Sequence, residues 1–325
     1  MSRLTILLGA YKKPDLIGPT IESILNQSFR DFELIIFDDN HTEDKAVITK
    51  TLDIINSFND KRITYIKNKG NIGVPHVYRK WIQHANLEYF MIYCDGDILL
   101  PGALDKMINF LDNNPRSSMV HGLEKKEIVK GQEYLYKETT SVKSSIYLEN
   151  HLLGRSKGWS QLTAMFRTEL WKTWNVPVVH DHFWDFYFHC VYLLFSNEIG
   201  YLKEYISVRE GTPIKYEDHV AKNYFSFKIE RTYQAIKFLN YYEFYMISRG
   251  YKVNNIRLRI SMQLLKRFAF LSNSQQIIFT VRIGVYNLIK SIAGLSIVFF
   301  ANIFGFVLRF IARIHDKLKN KLTLN

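Results

Sequence analysis

Short apolar runs alternate with amphipathic stretches over the first 120 residues of the chain. The apolar runs are uninterrupted, as in "LTILLGA", "FELIIFDD" and "EYFMIYC". Between them lie segments whose apolar residues recur at helical spacing, such as "DLIGPTIESILNQS" and "KAVITKTLDIINSF". A strand buried on both faces reads as a continuous apolar run, whereas a helix that covers a sheet has a period of about 3.6 residues. The pattern therefore predicts an α/β fold with a mostly parallel sheet flanked by helices.

The pattern becomes less regular in the second part of the chain. "SSMVHGL" predicts a fifth strand, and residues 123–160 are polar without a clear period. "QLTAMFRTELWKTW" and "HDHFWDFYFHCVYLLF" predict helices, while "EIGYLKEYISVRE" predicts one or two strands. From about residue 218 to the end, the spacing of apolar residues predicts helices throughout.

Residues 275–320 predict one long amphipathic helix. Its apolar stripe recurs at intervals of three and four and consists of Val281, Val285, Leu288, Ile292, Leu295, Phe299, Ile303, Phe306, Phe310 and Ile314. Residues 291–308 carry no charge, which is the lower limit of length for crossing a bilayer. Cations flank this stretch on both sides, so we expect a helix that lies in the membrane interface. A membrane span and a helix buried in a homo-oligomer are the alternatives.

The charge balance changes at about residue 210. Residues 1–210 hold 25 basic and 26 acidic side chains, whereas residues 211–325 hold 18 and 5. The basic surplus indicates an anionic partner. Because the cations share a helix with an apolar stripe, they favour an anionic membrane surface over a nucleic acid. The two cysteines, Cys94 and Cys190, have no metal-ligand spacing and indicate a reducing compartment. We therefore expect peripheral or monotopic attachment to the cytoplasmic face of the cell membrane.

Polar side chains follow three of the predicted strands, at the point where each strand ends. Tyr11 follows the first strand, Asp38 and Asp39 end the second, and Asp95 and Asp97 follow the fourth. The carboxyl ends of parallel strands lie along one edge of a sheet, which is where such folds bind ligands. We therefore expect these residues to converge on one cleft.

The triplet Asp95-Gly96-Asp97 offers two interpretations. Two carboxylates on a tight glycine turn can present oxygen ligands to Mg²⁺ or Mn²⁺, which complete their coordination with water and substrate phosphates. Alternatively, the triplet is a solvated turn in which Asp97 caps the following helix, predicted to begin at Pro101. The residue types alone leave both interpretations open.

The segments "LTILLGAYKKPDLIGPTIESILNQSFRDFELIIFDDNHTED", "NIGV" and "YCDGDILLP" resemble the family 2 glycosyltransferases, which have the Rossmann-like GT-A fold. The resemblance covers about residues 3–210 and is strongest over 3–112. It implies an inverting enzyme that transfers a sugar from a nucleoside diphosphate, with UDP expected, to a hydroxyl group. The acceptor would be a glycan or a lipid-linked glycan, in the synthesis of a cell-surface polysaccharide or glycoconjugate.

The resemblance also implies a domain organisation. Residues 1–215 would form the GT-A domain, with a nucleotide-sugar half over about 1–112 and an acceptor half over about 113–215. The spacing of apolar residues, rather than the resemblance, predicts that residues 216–325 form a helical region that contains the membrane-associating helix. A catalytically silent scaffold with the same fold, bound to a membrane or assembled as an oligomer, is the alternative function.

Site residues follow from the same resemblance. Tyr11 and the backbone at Ala10 would line the base pocket, and Asp39 would accept a hydrogen bond from an imide N–H of the base. Asp95 and Gly96 would lie near the ribose and the metal.

Asp97 would coordinate Mn²⁺ or Mg²⁺ as the second carboxylate of a DxD motif. Arg209 would approach the diphosphate. The histidine that often follows this arginine in the family is absent here, since the chain reads Val208-Arg209-Glu210-Gly211.

The family also uses a carboxylate just before a helix in the second half as the general base that takes the proton of the acceptor hydroxyl. In "VVHDHFWDF" the resemblance favours Asp181, at the predicted helix start, as this base. Asp185, one turn later, is the alternative, and both residues could be surface charges or helix caps.

Overall fold

The computed structural model describes residues 2–40, 45–68, 80–125, 138–153, 163–172, 184–209, 232, 234–267 and 285–289. The chain divides into two compact units. The first comprises Met1–His151 and Ser156–Pro213, and the second comprises Leu152–Arg155 and Ile214–Asn325.

The first unit contains one sheet of nine strands among the described residues. The strands are β1 Leu4–Ala10, β2 Phe32–Asp38, β3 Ile63–Lys67, β4 Tyr89–Cys94, β5 Asp97–Leu99, β6 Ser117–Lys125, β7 Thr140–Lys143, β8 Ala164–Arg167 and β9 Glu198–Arg209. Their spatial order is β3-β2-β1-β4-β8-β6-β9-β5, with β7 also paired to β9.

Helices flank this sheet and form the described part of the second unit. They are α1 Pro14–Leu25, α2 Lys45–Ser57, α3 Ala103–Asn113, α4 Ser144–Leu152, α5 Thr168–Lys172, α6 Trp184–Phe195, α7 over 234–248 and α8 Val253–Arg267. Helical turns also occur at 80–82 and 285–289.

The strands that carry the predicted site are parallel. β3, β2, β1 and β4 all run in one direction, which brings the carboxyl ends of β1, β2 and β4 to the same edge. Beyond β4 the sheet is mixed, because β8 is antiparallel to both β4 and β6, and β5 and β7 are antiparallel to β9. The predicted α/β architecture is thus confirmed, with its parallel part concentrated in β3, β2, β1 and β4.

The segment "QLTAMFRTELWKTW", predicted as one helix, instead contains a central strand. β8 lies between β4 and β6, and Ala164, Met165 and Phe166 are fully buried. Only Thr168–Lys172 forms a helix in the described part of this segment. The prediction was wrong because a short, fully buried strand shows no alternation and resembles one turn of a buried helix.

The second apolar run of "IYCDGDILLP" is also a strand. Asp97 begins β5, which pairs antiparallel with the end of β9. Helix α3 begins only at Ala103, and its N-cap is Gly102, which has a left-handed backbone conformation with a φ of 71°. Asp97 is therefore not the N-cap of this helix, which removes the alternative interpretation of the triplet.

Helices α1 and α3 cover one face of the sheet through apolar side chains. The shared core contains Ile17, Ile21, Ile24, Leu104, Met107, Ile108 and Leu111, packed on Ile6, Leu8, Leu34 and Met91. Burying each such side chain stabilises the fold by about 1.5–3 kcal/mol. This packing fixes α1 beside the strand ends that carry the predicted site.

The second unit contains a buried ion pair between its two described long helices. Arg257 of α8 is fully buried, and its Nη2 lies 3.0 Å from Oε1 of Glu243 on α7. Its Nη1 donates a hydrogen bond of 3.0 Å to Oδ1 of Asn254. None of the helices in the described ranges combines the length and apolarity needed to cross a bilayer. Most of the helix predicted at 275–320 lies outside the described residues.

Candidate active site

The ends of β1 and β4 are joined by hydrogen bonds in both directions. The N–H of Tyr11 donates to Oδ2 of Asp95 at 2.7 Å, and the N–H of Asp95 donates to the carbonyl of Gly9 at 3.1 Å. The sequence predicted that residues 84 positions apart would converge here, and Tyr11 and Asp95 are in direct contact. The Tyr11 ring is 36% exposed, with Nζ of Lys12 lying 5.0 Å from its centroid. An exposed ring at a strand end is suited to stacking on a planar base.

Asp95 is a buried carboxylate beside a second one. Burial raises the pKa of Asp95 to about 6, and the negative charge of Asp97 contributes to the rise. The hydrogen bond from the N–H of Tyr11 and the positive charge of Lys13 oppose this rise and lower the pKa. Nζ of Lys13 lies 3.9 Å from Oδ1 of Asp95, so one exposed cation already approaches this pair. Two neighbouring carboxylates beside one exposed ammonium leave a local excess of negative charge that a further cation would stabilise.

Gly96 and β5 place Asp97 at this edge. Gly96 has a φ of 93°, a conformation that residues with a Cβ rarely adopt, so the turn requires glycine. Asp97 is 3% exposed, and the strand register pairs it with Arg209 at the end of β9. The backbone of Arg209 is thus beside the Asp95-Gly96-Asp97 triplet, although its side chain lies outside the described residues.

The two carboxylates fit a hard divalent cation. Mg²⁺ and Mn²⁺ prefer oxygen ligands and accept one or two protein carboxylates when phosphate and water supply the rest. Among the described residues, no three Asp, Glu, His or Cys side chains gather into a metal site. A cation here would therefore be held by Asp95 and Asp97 together with ligands from the substrate.

Asp38 and Asp39 are neighbours with different environments. Asp38 is 1% exposed; its Oδ1 accepts from the N–H of Asn40 at 2.9 Å and from Nδ2 of Asn40 at 2.8 Å. Its Oδ2 accepts from the hydroxyl of Tyr65 at 2.6 Å. These three donors hold the Asp38 carboxylate inside the protein, where it orders the loop after β2.

Asp39 lies on the cleft side of the same loop and is half-buried. Its N–H donates to the carbonyl of Ala10 at 3.0 Å, and its Oδ1 accepts from Nδ2 of Asn68 at 2.5 Å. Nζ of Lys80 donates to Oδ1 of Asn68 at 2.7 Å. Because an ammonium can only donate, it fixes the Asn68 amide with its NH₂ group toward Asp39. The residue pair Ala10–Tyr11 thus links Asp39 to Asp95.

The predicted general base is not among the described side chains. Asp181 lies outside the described residues, and Asp185 belongs to the first turn of α6, of which only the backbone is described. The segment "NIGV" also falls outside them. These assignments stay predictions.

Three polar residues of the site were missed by the sequence analysis. Lys13 lies two positions after Tyr11 in the same strand-end loop, and Asn68 follows β3 at the same edge as Asp39. Applying the strand-end rule to the third strand would have found Asn68. Lys80 carries no sequence signal, because only the fold brings it to Asn68.

Comparison with known proteins relates this geometry to others. An uncharacterised glycosyltransferase of Methanocaldococcus jannaschii is 26% identical over 201 residues, which cover 56% of this chain and 67% of that protein. The Escherichia coli UDP-Glc:alpha-D-GlcNAc-diphosphoundecaprenol beta-1,3-glucosyltransferase WfaP is 31% identical over 112 residues. That match covers 34% of this chain and 42% of WfaP, so the chain spans less than half of that relative.

Solved structures share the fold at low sequence identity. Residues 1–349 of Staphylococcus aureus TarS, crystallised in complex with UDP, superpose with a TM-score of 0.55 at 16% identity. The match covers 88% of this chain and 89% of the TarS chain. The same TarS segment has been crystallised with UDP-GlcNAc and matches with a TM-score of 0.55.

The family model described as glycosyl transferase family 2 matches residues 5–189. This range begins within β1, includes the edge formed by Tyr11, Asp39, Asp95 and Asp97, and ends in α6. Since the match spans more than half of the chain and agrees with the observed fold, the protein belongs to glycosyl transferase family 2.

Proposed function

We propose that this glycosyltransferase transfers a sugar, with inversion, from a UDP-sugar to a hydroxyl group of a lipid-linked glycan. The observation that carries the proposal is the convergence of Tyr11, Asp39 and Asp95 at one sheet edge, linked through two hydrogen bonds at Ala10 and Tyr11. The aromatic ring of Tyr11 and the acceptor Asp39 match the base of a nucleotide sugar, and the carboxylate pair Asp95 and Asp97 matches its ribose and metal-bound diphosphate.

The donor would bind with its base at Tyr11 and Asp39. The ring of Tyr11 would stack on the base, and Asp39 would accept the imide N–H that uracil presents. Asn68 and Lys80 hold the Asp39 carboxylate in place before the donor arrives, which reduces the entropy lost on binding. A relative named for UDP-Glc and structural neighbours crystallised with UDP and UDP-GlcNAc support uracil over other bases.

Asp95 and Asp97 would hold Mn²⁺ or Mg²⁺ against the diphosphate. When bound, this cation would supply electrostatic stabilisation for the negative charge of the departing nucleoside diphosphate. The chain itself supplies the two buried carboxylates, the nearby ammonium of Lys13, and the backbone position of Arg209 opposite Asp97.

The proton of the acceptor hydroxyl would go to Asp181, with Asp185 as the alternative. A general base on the opposite side of the anomeric carbon from the diphosphate gives attack with inversion. Asp181→Asn and Asp185→Asn would separate the two. The variant that lacks the base should lose transfer while still binding UDP-sugar, and the other should retain transfer.

A lipid-linked acceptor is supported by the names of two relatives. WfaP and a Campylobacter jejuni beta-1,3-glucosyltransferase, 29% identical over 109 residues, are both named for undecaprenol-linked acceptors. Such an acceptor would require the enzyme to work at a membrane surface.

Helix α7 supplies a face suited to that surface. Tyr241, Phe244, Tyr245 and Ile247 are between 51% and 79% exposed. Lys237 and Arg249 are exposed on the same helix and its end. The only acidic residue of α7, Glu243, is paired with the buried Arg257. Aromatic side chains next to cations fit the headgroup region of an anionic bilayer.

Donor turnover tests the proposed reaction. The full chain would be incubated with Mn²⁺, a panel of nucleotide sugars and an undecaprenyl-diphosphate-linked acceptor, with release of nucleoside diphosphate as the measurement. We expect UDP release that depends on the acceptor and is abolished by a chelator, and a product whose anomeric configuration is inverted in its NMR spectrum. Absence of release with every donor would instead favour the silent scaffold.

Vesicle sedimentation tests the membrane surface. We expect the protein to bind phosphatidylglycerol vesicles more tightly than phosphatidylcholine vesicles, and the double change Phe244→Ser with Tyr245→Ser to weaken this binding about tenfold or more. Tyr205→Ser is the matched control, because Tyr205 is 46% exposed on β9. If the double variant binds vesicles as the unmodified protein does, α7 is not the docking face. Loss of a dimer in the double variant would assign the face to a second copy of the chain.

A further inference from the structure

Two polar side chains of α1, and a third two residues after the helix ends, contact the backbone of residues 95–100, here called the Asp95–Leu100 segment. Oγ1 of Thr20 accepts a hydrogen bond of 3.0 Å from the N–H of Gly96. Oγ of Ser23 accepts one of 3.1 Å from the N–H of Leu99. Nε2 of Gln27 donates one of 3.0 Å to the carbonyl of Leu100. Thr20 and Ser23 are three positions apart and form one stripe of α1, which Gln27 continues beyond the helix end at Leu25.

This stripe faces the interior, where apolar residues are the rule. Thr20 is fully buried and Gln27 is 2% exposed. A buried polar group costs free energy unless it forms hydrogen bonds, and valine would fill the place of Thr20 without that requirement. The polar residues are thus accounted for by the backbone groups that they bind.

The two hydroxyl groups are oriented by their own helix. The hydroxyl of Thr20 donates to the carbonyl of Leu16 at 3.1 Å, and that of Ser23 donates to the carbonyl of Thr20 at 2.8 Å. Since each hydroxyl has one proton, both oxygens face the Asp95–Leu100 segment only as acceptors. Each oxygen can therefore bind a backbone N–H of this segment but not a backbone carbonyl.

The clamped peptide groups lie on either side of Asp97. The N–H of Gly96 belongs to the peptide before Gly96, and the N–H of Leu99 belongs to the peptide after Ile98. Without the hydrogen bond to Thr20, Gly96, at a φ of 93°, would be the most flexible point of the Asp95–Leu100 segment. The pairing of Asp97 with Arg209 holds the other side of the strand. The backbone of Asp97 is thus fixed from α1 and from β9 together.

We propose that Thr20 and Ser23 are positioning residues that hold the Asp97 carboxylate where it binds a divalent cation and the diphosphate of the donor. The proposal rests on the proposed function, since it requires that Asp97 binds a cation. Neither side chain would contact the donor, because both act through the backbone of the Asp95–Leu100 segment.

Thr20→Val is the main test, and Thr51→Val is its matched control. Thr51 lies on α2, is 1% exposed, and donates to the carbonyl of Val47 four positions earlier, as Thr20 does to Leu16. Thr51 differs from Thr20 in having no hydrogen bond to the Asp95–Leu100 segment among the bonds described. Thr20→Ser keeps the hydroxyl and should restore the behaviour of the unmodified protein, and Ser23→Ala tests the second clamp independently.

Three measurements separate positioning from general stability: amide hydrogen exchange at Gly96, calorimetric binding of UDP with Mn²⁺, and thermal unfolding. We expect Thr20→Val to raise exchange at Gly96 and to weaken UDP–Mn²⁺ binding about tenfold, as loss of one buried hydrogen bond predicts. Ser23→Ala should do the same at Leu99. Thr51→Val should change thermal unfolding alone.

Two outcomes would overturn the positioning role by itself. One is unchanged exchange at Gly96 in Thr20→Val. The other is UDP–Mn²⁺ binding that Thr20→Val weakens no more than Thr51→Val does. If the unmodified protein fails to bind any nucleoside diphosphate with Mn²⁺, the proposed function fails as well. Exchange at Gly96 would still report whether Thr20 holds the Asp95–Leu100 segment.

Discussion

The main-chain N–H of Tyr11 lies 2.7 Å from Oδ2 of Asp95, which joins residues 84 positions apart in the chain. This bond connects the loop after β1, where a base would stack, to the carboxylates that would face a diphosphate. The two ends of the proposed donor site therefore belong to one sheet edge, and a change at either end is expected to affect donor binding.

Asp97→Asn should abolish sugar transfer and leave the fold intact. A cation held by Asp95 and Asp97 would stabilise the leaving diphosphate by several kcal/mol, so loss of one of these carboxylates should reduce turnover about 100-fold or more. UDP release with Mn²⁺ measures turnover, and circular dichroism checks the fold. Asp53→Asn, on the exposed face of α2, is the control with the same charge change. An active Asp97→Asn enzyme would remove Asp97 from the metal site.

Asp39→Asn and Asp38→Asn should affect different properties, donor binding in one case and stability in the other. Asp39→Asn should weaken UDP binding with little loss of stability, because its amide oxygen can still accept from Nδ2 of Asn68 while its NH₂ group replaces the oxygen that would accept from the base. Asp38→Asn should lower the free energy of unfolding by about 2 kcal/mol, because one oxygen cannot accept from both Asn40 and Tyr65. Calorimetry with UDP and urea unfolding measure the two effects. Equal loss of stability in both variants would contradict the division of roles.

Gly9→Ala should destabilise the protein, whereas Gly18→Ala should not. A Cβ on Gly9 would overlap the ring of Trp81, which is buried and stacked on Phe37 at a centroid distance of 5.2 Å. Overpacking of this kind costs about 1–3 kcal/mol. In α1, a Cβ on Gly18 would lie 3.3 Å from Cγ2 of Ile54, a tight contact that this half-buried side chain can relieve by shifting a few tenths of an ångström, and alanine favours the helix. Urea unfolding of both variants tests the contrast.

His121 should make stability depend on pH between about 6.5 and 4. Burial lowers the pKa of His121 to about 4, and its Nε2 lies 3.0 Å from the hydroxyl oxygen of Tyr147. Above the pKa of the unfolded state both forms are neutral, so the stability is fully present there. As the pH falls below 6.5, only the unfolded chain takes up the proton, and at pH 5 this favours unfolding by about 2 kcal/mol.

The measurement for His121 is the free energy of unfolding at pH 7.5 and pH 5, in the unmodified protein and in His121→Gln. The glutamine variant should lose less stability over this range by about 2 kcal/mol, because it has no group to titrate there. Equal losses in the two proteins would show that His121 does not titrate differently on folding.

The sequence determined the parallel part of the sheet, which contains β3, β2, β1 and β4. Uninterrupted apolar runs have to be buried on both faces, and amphipathic helices have to cover them, so the alternation predicts parallel strands. Parallel strands end at one edge, and this places the residues after β1, β2 and β4 together without any knowledge of side-chain contacts. Tyr11, Asp39 and Asp95 were therefore predictable as one site.

The tertiary structure alone decided what local pattern does not encode. It inserted β8 between β4 and β6, because a short buried strand and a buried helical turn have the same composition. It separated Asp38 from Asp39, since the partners of each come from other strands and loops. It also brought Thr20 to Gly96 across 76 positions of sequence. Each of these depends on which segments pack together, and hydrogen-bond partners distant in sequence leave no periodic trace along the chain.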